Sequence, residues 1–223
     1  MRQYVAPTVT VDGVVLRLLG EQLEVLLVRR EQSPFKGEWA LPGSYVSRSE
    51  TTTQALQRTL HAKAGLDAQQ LTFTEQLYTF DTPAMQDPRG HAVSVIYFVL
   101  GRGLQPAAGK GESPTFFPVD ALPHLAYQHN DVVWHTLERL KGKITYTNIM
   151  FALLPSRFTF RQLQTGYQAI LGRALDKRNF RKKILELHLI EPTASFDKKS
   201  AHRPARLYRF KKQSLESLTR NFD

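Results

Sequence analysis

The chain changes character once, near residue 143, and that break constrains the fold more than any single motif. Before it, the β-branched runs "TVTVDGVVLRLL" (8–19) and "LEVLLVRR" (23–30) flank the turn residues "GEQ" and predict a hairpin. More strand text follows at "LTFTEQLYTF" (71–80) and "AVSVIYFVL" (92–100). One helix is predicted over 51–64, where Ala55, Leu56, Thr59, Leu60 and Lys63 recur at three- and four-residue spacing, and another near 129–141. After the break the text is helical. "TYTNIMFALLP" predicts a helix stopped by Pro155, and "FTFRQLQTGYQAILG" one capped by Thr159 and Gly172. "DKRNFRKKILELHLI" predicts a third, opened by Asp176, with Phe180, Ile184, Leu185 and Leu187 as its apolar stripe. The polar turn and alternating Leu207, Tyr208 and Phe210 of "EPTASFDKKSAHRPARLYRF" then predict a β-ribbon. Two domains are expected: residues 1–142 as an α/β/α sandwich on a mixed sheet, and residues 143–223 as a winged helix-turn-helix.

Charge divides at the same place. Residues 1–142 carry 13 Lys and Arg against 14 Asp and Glu, about −1, whereas residues 143–223 carry 17 against 6, about +11. A basic third of this kind points to nucleic acid, an anionic membrane or an acidic partner. A membrane role fits poorly, because the helix text has no Trp/Phe/Leu face to insert. No run approaches the roughly 18–20 apolar residues of a membrane span, and "MRQYVAPTVTVDG" lacks the apolar core of a signal peptide. The chain has no cysteine, which excludes disulfides, thiol catalysis and cysteine-based zinc sites. A soluble cytoplasmic protein is expected.

The stretch "GSYVSRSETTTQALQRTLHAKAGL" (43–66) resembles the signature of the Nudix hydrolases, G-x5-E-x7-R-E-U-x-E-E-x-G-U with U aliphatic. Placing Gly65-Leu66 on the closing pair puts Glu50 and Arg58 on the first Glu and the Arg of the signature. Leu60 falls on its aliphatic position, and the upstream "FKGEWALPG" (35–43) is similar to the family's approach to this loop. The opening glycine is Ser44, and the three helical glutamates are Thr59, Ala62 and Lys63. Diphosphate cleavage in this family uses a divalent metal to polarise phosphoryl oxygen and to activate water. Magnesium demands oxygen ligands; Thr59 and Ala62 supply no carboxylate, and Lys63 brings a positive charge that repels a cation. The expectation is a domain with no catalytic residues, no metal and no cofactor, which binds a nucleotide without cleaving it. Lys63 either meets a ligand diphosphate, is a solvated helix lysine, or forms an ion pair with Glu50. Phe35 and Trp39 either stack on a base or ribose or pack in their loop, and Arg89 sits on a turn where a guanidinium can pair with phosphate. With Glu50, Arg58 and Lys63 they are the candidate ligand-binding residues. His61, His91, His124 and His129 suggest no ligand cluster.

In "LDKRNFRKKIL", Lys177, Arg178, Arg181 and Lys182 are basic and Asn179 is polar, while Phe180 and Ile184 keep one face apolar. That division suits a recognition helix, with Arg and Asn able to read guanine and adenine edges. Lysines, together with Lys198, Lys199, Arg203 and Arg206 of the ribbon, suit phosphates. Taken with the tail segments "YTNIMFALLP" and "RPARLYRF", the whole chain resembles the Nudix-related transcriptional regulators of the NrtR type. The resemblance implies a homodimeric repressor of NAD biosynthesis or salvage genes, bound to a double-stranded operator and released by ADP-ribose or a related nucleotide. Related regulators of the same architecture control pentose catabolism, so a sugar-phosphate effector is the alternative within the family. An active Nudix diphosphohydrolase with a basic nucleic-acid-binding tail is the alternative outside it.

Overall fold

A computed structural model describes residues 6–82, 90–107, 113–197, 204–218 and 222. The chain divides into two compact units, residues 1–16 with 24–136, and residues 17–23 with 137–223.

The first unit is built on a seven-stranded sheet. Strands β1 (Thr8–Leu19), β2 (Gln22–Arg29), β3 (Trp39–Ala40), β4 (Gly43–Tyr45), β5 (Leu71–Thr82), β6 (Ala92–Gly101) and β7 (Pro114–Pro118) contribute to it. Its main path runs β3-β2-β1-β6-β5, with β4 added to β1 and β7 to β2. β1 and β6 are parallel, with Asp12 opposite Ile96, while β4, β3, β7 and β5 join their neighbours antiparallel. The sheet is therefore mixed.

Alternation along β1 and β6 decides what covers each face. Val11 and Val15 of β1, with Tyr97 and Val99 of β6, share one core cluster with Ala55, Leu56, Leu60 and Ala64. Those four belong to α1 (Thr52–Ala64), so α1 lies on that face, where the Tyr97 hydroxyl also meets the hydroxyls of Thr52 and Thr53 at 2.8 and 3.1 Å. Asp12 and Ser94 point to the opposite face, toward His129 at the start of α2 (His129–Tyr146). Further along α2, His135 packs edge-on against Tyr78 of β5. Helix, sheet, helix is the expected sandwich. α1 begins at a capping box formed by Thr51 and Gln54 and ends at Gly65, whose φ of 62° requires glycine.

The second unit contains β8 (Phe158–Thr159), α3 (Phe160–Leu171), α4 (Lys177–Glu186), β9 (Ile190–Asp197) and β10 (Ala205–Phe210). The three strands form a sheet in the order β8-β10-β9. Two helices followed by a β-ribbon give the winged helix-turn-helix. Thr159 and Gly172 cap α3 as expected, and the Asp176 carboxylate caps α4 by accepting from the Arg178 and Asn179 amides. Phe180, Tyr167 and Phe222 form the aromatic centre, with rings 4.8–5.7 Å apart.

Two expectations are corrected. "TYTNIMFALLP" is not one helix: α2 runs to Tyr146, and only a single 3-10 turn, Ile149–Ala152, follows. The Thr147 hydroxyl donates back to the Lys143 carbonyl, and Asn148 leaves helical geometry to hold residues 214–216 through both its backbone and its side chain. Local side-chain bonds of this kind compete with the helix ladder. Leu185, assigned to the apolar stripe of α4, is instead 42% exposed, and Phe180 and Ile184 carry the packing.

Candidate functional site

A cleft of about 390 Å³ opens on the sheet face carrying Asp12 and Ser94, a volume within the range of small-molecule sites, roughly 300–1,000 Å³. β1 contributes Thr10 and Asp12, β6 Ser94, and the loop after β2 Arg30 and Gln32. α1 sends in Lys63, the turn before α2 supplies Tyr127, and α2 begins at the cleft with His129. The Arg30 guanidinium lies 4.9 Å from the Tyr127 ring centre, a cation–π contact that fixes both groups at the cleft wall. Phe35 packs edge-on against the same ring at 4.7 Å. Phe35, Tyr127 and Gln128 all hold positive φ without being glycine, a cost of order 1–3 kcal/mol each that clusters where function demands a fixed shape.

The cleft floor is polar and buried. Asp12 accepts from the Ser94 hydroxyl, and its other oxygen stands 3.8 Å from His129 Nε2. The Leu41 amide donates to His129 Nδ1 at 3.0 Å, so that nitrogen carries no hydrogen and the ring's N–H is at Nε2, toward Asp12. Gly43 sits beside this carboxylate: a Cβ there would collide with Asp12.

The carboxylate positions of the signature can now be placed. Thr59 is buried, its hydroxyl donating to the Ala55 carbonyl at 2.6 Å and meeting the Ser44 hydroxyl at 2.5 Å. Ala62 faces solvent. Glu50 is gripped by Arg58 at 2.6 and 3.0 Å and by the Ser47 amide. The hydrogen bonds from Arg58, followed by the Ser47 amide, bring its pKa down to about 2, and Arg58 itself is shifted upward, chiefly by its hydrogen bond to Glu50. Among the described residues, no group of three or more His, Asp or Glu side chains stands close enough to hold a metal. The donor set does not fit a divalent cation: one carboxylate is neutralised by Arg58, a hydroxyl is bonded internally, and a lysine faces the same space.

Of the predicted ligand residues that are described, only Lys63 lines the cleft. Phe35 reaches it through Tyr127, Trp39 packs against Phe117 at 4.8 Å, and Glu50 and Arg58 form the loop brace described above. Arg89 lies outside the described residues. Asp12, Arg30, Ser94 and Tyr127 are not among the predicted ligand residues, and His129, read from sequence as part of no ligand cluster, lines the cleft with them. An aspartate at position 12, between Val11 and the run Gly13-Val14-Val15-Leu16, was the available signal for one of them.

In the second unit, α4 presents Lys177, Arg178, Asn179, Arg181 and Lys182 on its exposed side, opposite buried Phe180 and Ile184. Arg181 differs from the others: its guanidinium stacks 4.5 Å from the Phe160 ring centre and donates to the Tyr208 hydroxyl at 3.0 Å. It ties α4 to α3 and the ribbon. On the ribbon, Arg206 lies over the exposed Phe196 ring at 5.5 Å, while Lys198, Lys199 and Arg203 lie outside the described residues. No helix among the described residues is long and apolar enough to cross a membrane.

Two family models match the chain. The NUDIX domain model matches residues 8–140, and the NrtR DNA-binding winged helix domain model matches residues 150–210. The chain is 34% identical over 219 residues to the ADPR responsive transcriptional repressor NtrR of Acinetobacter baylyi, covering 96% of this chain and 86% of that one. It is similar to the crystal structure of Shewanella oneidensis NrtR complexed with a 27mer DNA, with a TM-score of 0.81, 28% identity, and coverage of 96% and 99% of the two chains. The NUDIX domain of that Shewanella protein complexed with ADP ribose matches with a TM-score of 0.55 and 31% identity, over 61% of this chain and 90% of that one.

Proposed function

The chain belongs to the NrtR family of Nudix-related transcriptional regulators, and from that membership we propose a DNA-binding repressor whose Nudix domain takes ADP-ribose as effector without cleaving it. One observation carries the non-hydrolytic part: the helical positions that hold metal in Nudix enzymes are a buried threonine, an exposed alanine and a lysine facing the cleft. A metal site needs converging oxygen ligands, and here the nearest carboxylate of the signature is committed to Arg58. With Arg30 and Lys63 on its wall, the cleft has cations to meet a diphosphate.

Lys177, Arg178, Asn179 and Lys182 at the exposed side of α4 form the DNA-reading surface. Arg178 and Asn179 are placed for base edges and the lysines, with Arg206, for phosphates. Arg181 holds that surface in place. A twofold homodimer of such units matches a palindromic operator with half-sites about one helical turn, ~10 bp, or a multiple apart. ADP-ribose releases the repressor by binding better to the dimer arrangement that does not fit DNA, since a ligand with equal affinity for both shifts nothing. Genes of NAD biosynthesis or salvage are the fitting targets, and such a regulator acts in the cytoplasm.

The test is calorimetric titration with ADP-ribose in the presence of magnesium, followed by chromatography of the ligand. Saturable binding with intact ADP-ribose recovered is expected. Turnover at ordinary enzyme rates identifies a hydrolase instead, and binding of pentose phosphates but not ADP-ribose identifies a sugar regulator.

A further inference from the structure

Arg30 and Lys63 line the cleft together with two carboxylates, Glu31 and, at the floor, Asp12. Its side chain is 13% exposed, and it lines the same cavity. Burying a carboxylate is costly unless hydrogen bonds satisfy it, and placing one beside a phosphate site adds repulsion. Such a group needs a compensating partner. Within the protein it has the Ser94 hydroxyl on one oxygen, while His129 Nε2, at 3.8 Å from the other, is too far for a hydrogen bond. The surrounding geometry keeps the second oxygen in place: Gly43 leaves room for it, and the Leu41 amide locks the imidazole that faces it.

An ionised carboxylate only accepts hydrogen bonds. A ligand that displaces water from this second oxygen must bring a donor in its place, and on the effector assigned above the ribose hydroxyls are such donors. We propose that Asp12, positioned by Ser94 and Gly43, is the residue that selects the effector by accepting a hydrogen bond from one of its ribose hydroxyls. The proposal rests on the effector assigned above and adds the group that reads its sugar. A site built to bond a hydroxyl discriminates strongly against ligands lacking it, because its own buried group is then left unpaired.

Calorimetric titration of ADP-ribose and ADP against wild type, Asp12→Asn and Ser94→Ala tests this. Asparagine keeps an oxygen for Ser94 and loses the charge. A charge-assisted hydrogen bond corresponds to roughly a ten- to hundred-fold loss of affinity on removal. If only ADP-ribose weakens in Asp12→Asn, the terminal ribose is read; if both ligands weaken, the adenosine ribose is read; either result supports the proposal. Unchanged affinity for both in a folded Asp12→Asn overturns it. Should that variant melt below the assay temperature, Ser94→Ala decides. A several-fold loss restored by Ser94→Thr is expected, and wild-type affinity overturns the proposal. Failure of the wild type itself to bind either ligand overturns the effector assignment as well, and is thereby told apart from a failure of Asp12 alone.

Discussion

Lys63 and Glu50 occupy the same degenerate signature but do opposite things. Lys63 lines the cleft, and Lys63→Ala is expected to weaken ADP-ribose binding roughly ten- to hundred-fold with an unchanged melting temperature, read by calorimetry and thermal unfolding. Glu50 is spent on Arg58. Its carboxylate, held near a pKa of about 2 by that guanidinium, is ionised in the folded protein well below the ordinary carboxylate range. A lowered folded pKa means that the brace stabilises fully above about 4.5 and fades as pH falls toward 2. NMR titration should show Glu50 moving back toward 4.5 in Arg58→Ala; a carboxylate still titrating near 2 would show that Arg58 is not its cause. In the second unit, Arg178 and Arg181 look alike in sequence and separate in structure. Arg178→Ala should cost about 1–3 kcal/mol of operator binding at constant stability. Arg181→Ala should also lower the melting temperature, because it removes the Phe160 stack and the Tyr208 bond.

Elements were legible where a local rule fixed them. The caps Thr159, Gly172 and Asp176 mark the helix ends of the winged unit, and the β-branched runs mark the strands. Asp176→Ala should cost about 1 kcal/mol, measured by chemical denaturation, and should loosen the helix end that carries Arg178 and Asn179. Legibility failed where distant residues decided the outcome. Residues 145–155 look helical, but Asn148 is claimed by residues 214–216, 66 and 68 positions away, which no local pattern reveals. The cleft was half legible for the same reason. Spacing placed Lys63 on α1, whereas Asp12, Ser94 and His129 converge only through the β1–β6 pairing and the fold-back of α2. Trp39 reads from sequence as either a stacking or a loop-packing residue, and its ring packs on Phe117.

For the whole molecule, a repressor gathers its charge in one third of the chain and its ligand chemistry in the other two. If the proposed dimer sets Lys177, Lys182 and Arg206 of each chain on phosphates, the logarithm of DNA affinity should fall with the logarithm of salt at a slope of about −5 or steeper. On the proposed reading the effector survives being sensed, and the replacement of the helical carboxylates by Thr59, Ala62 and Lys63 is what supports that reading. The most direct test is fluorescence anisotropy of a labelled operator duplex, selected by the protein from a random library, titrated with ADP-ribose in magnesium. Loss of the complex with all of the ADP-ribose recovered intact is the expected result. A complex indifferent to saturating ADP-ribose, or one that dissociates only as the nucleotide is split, would contradict it.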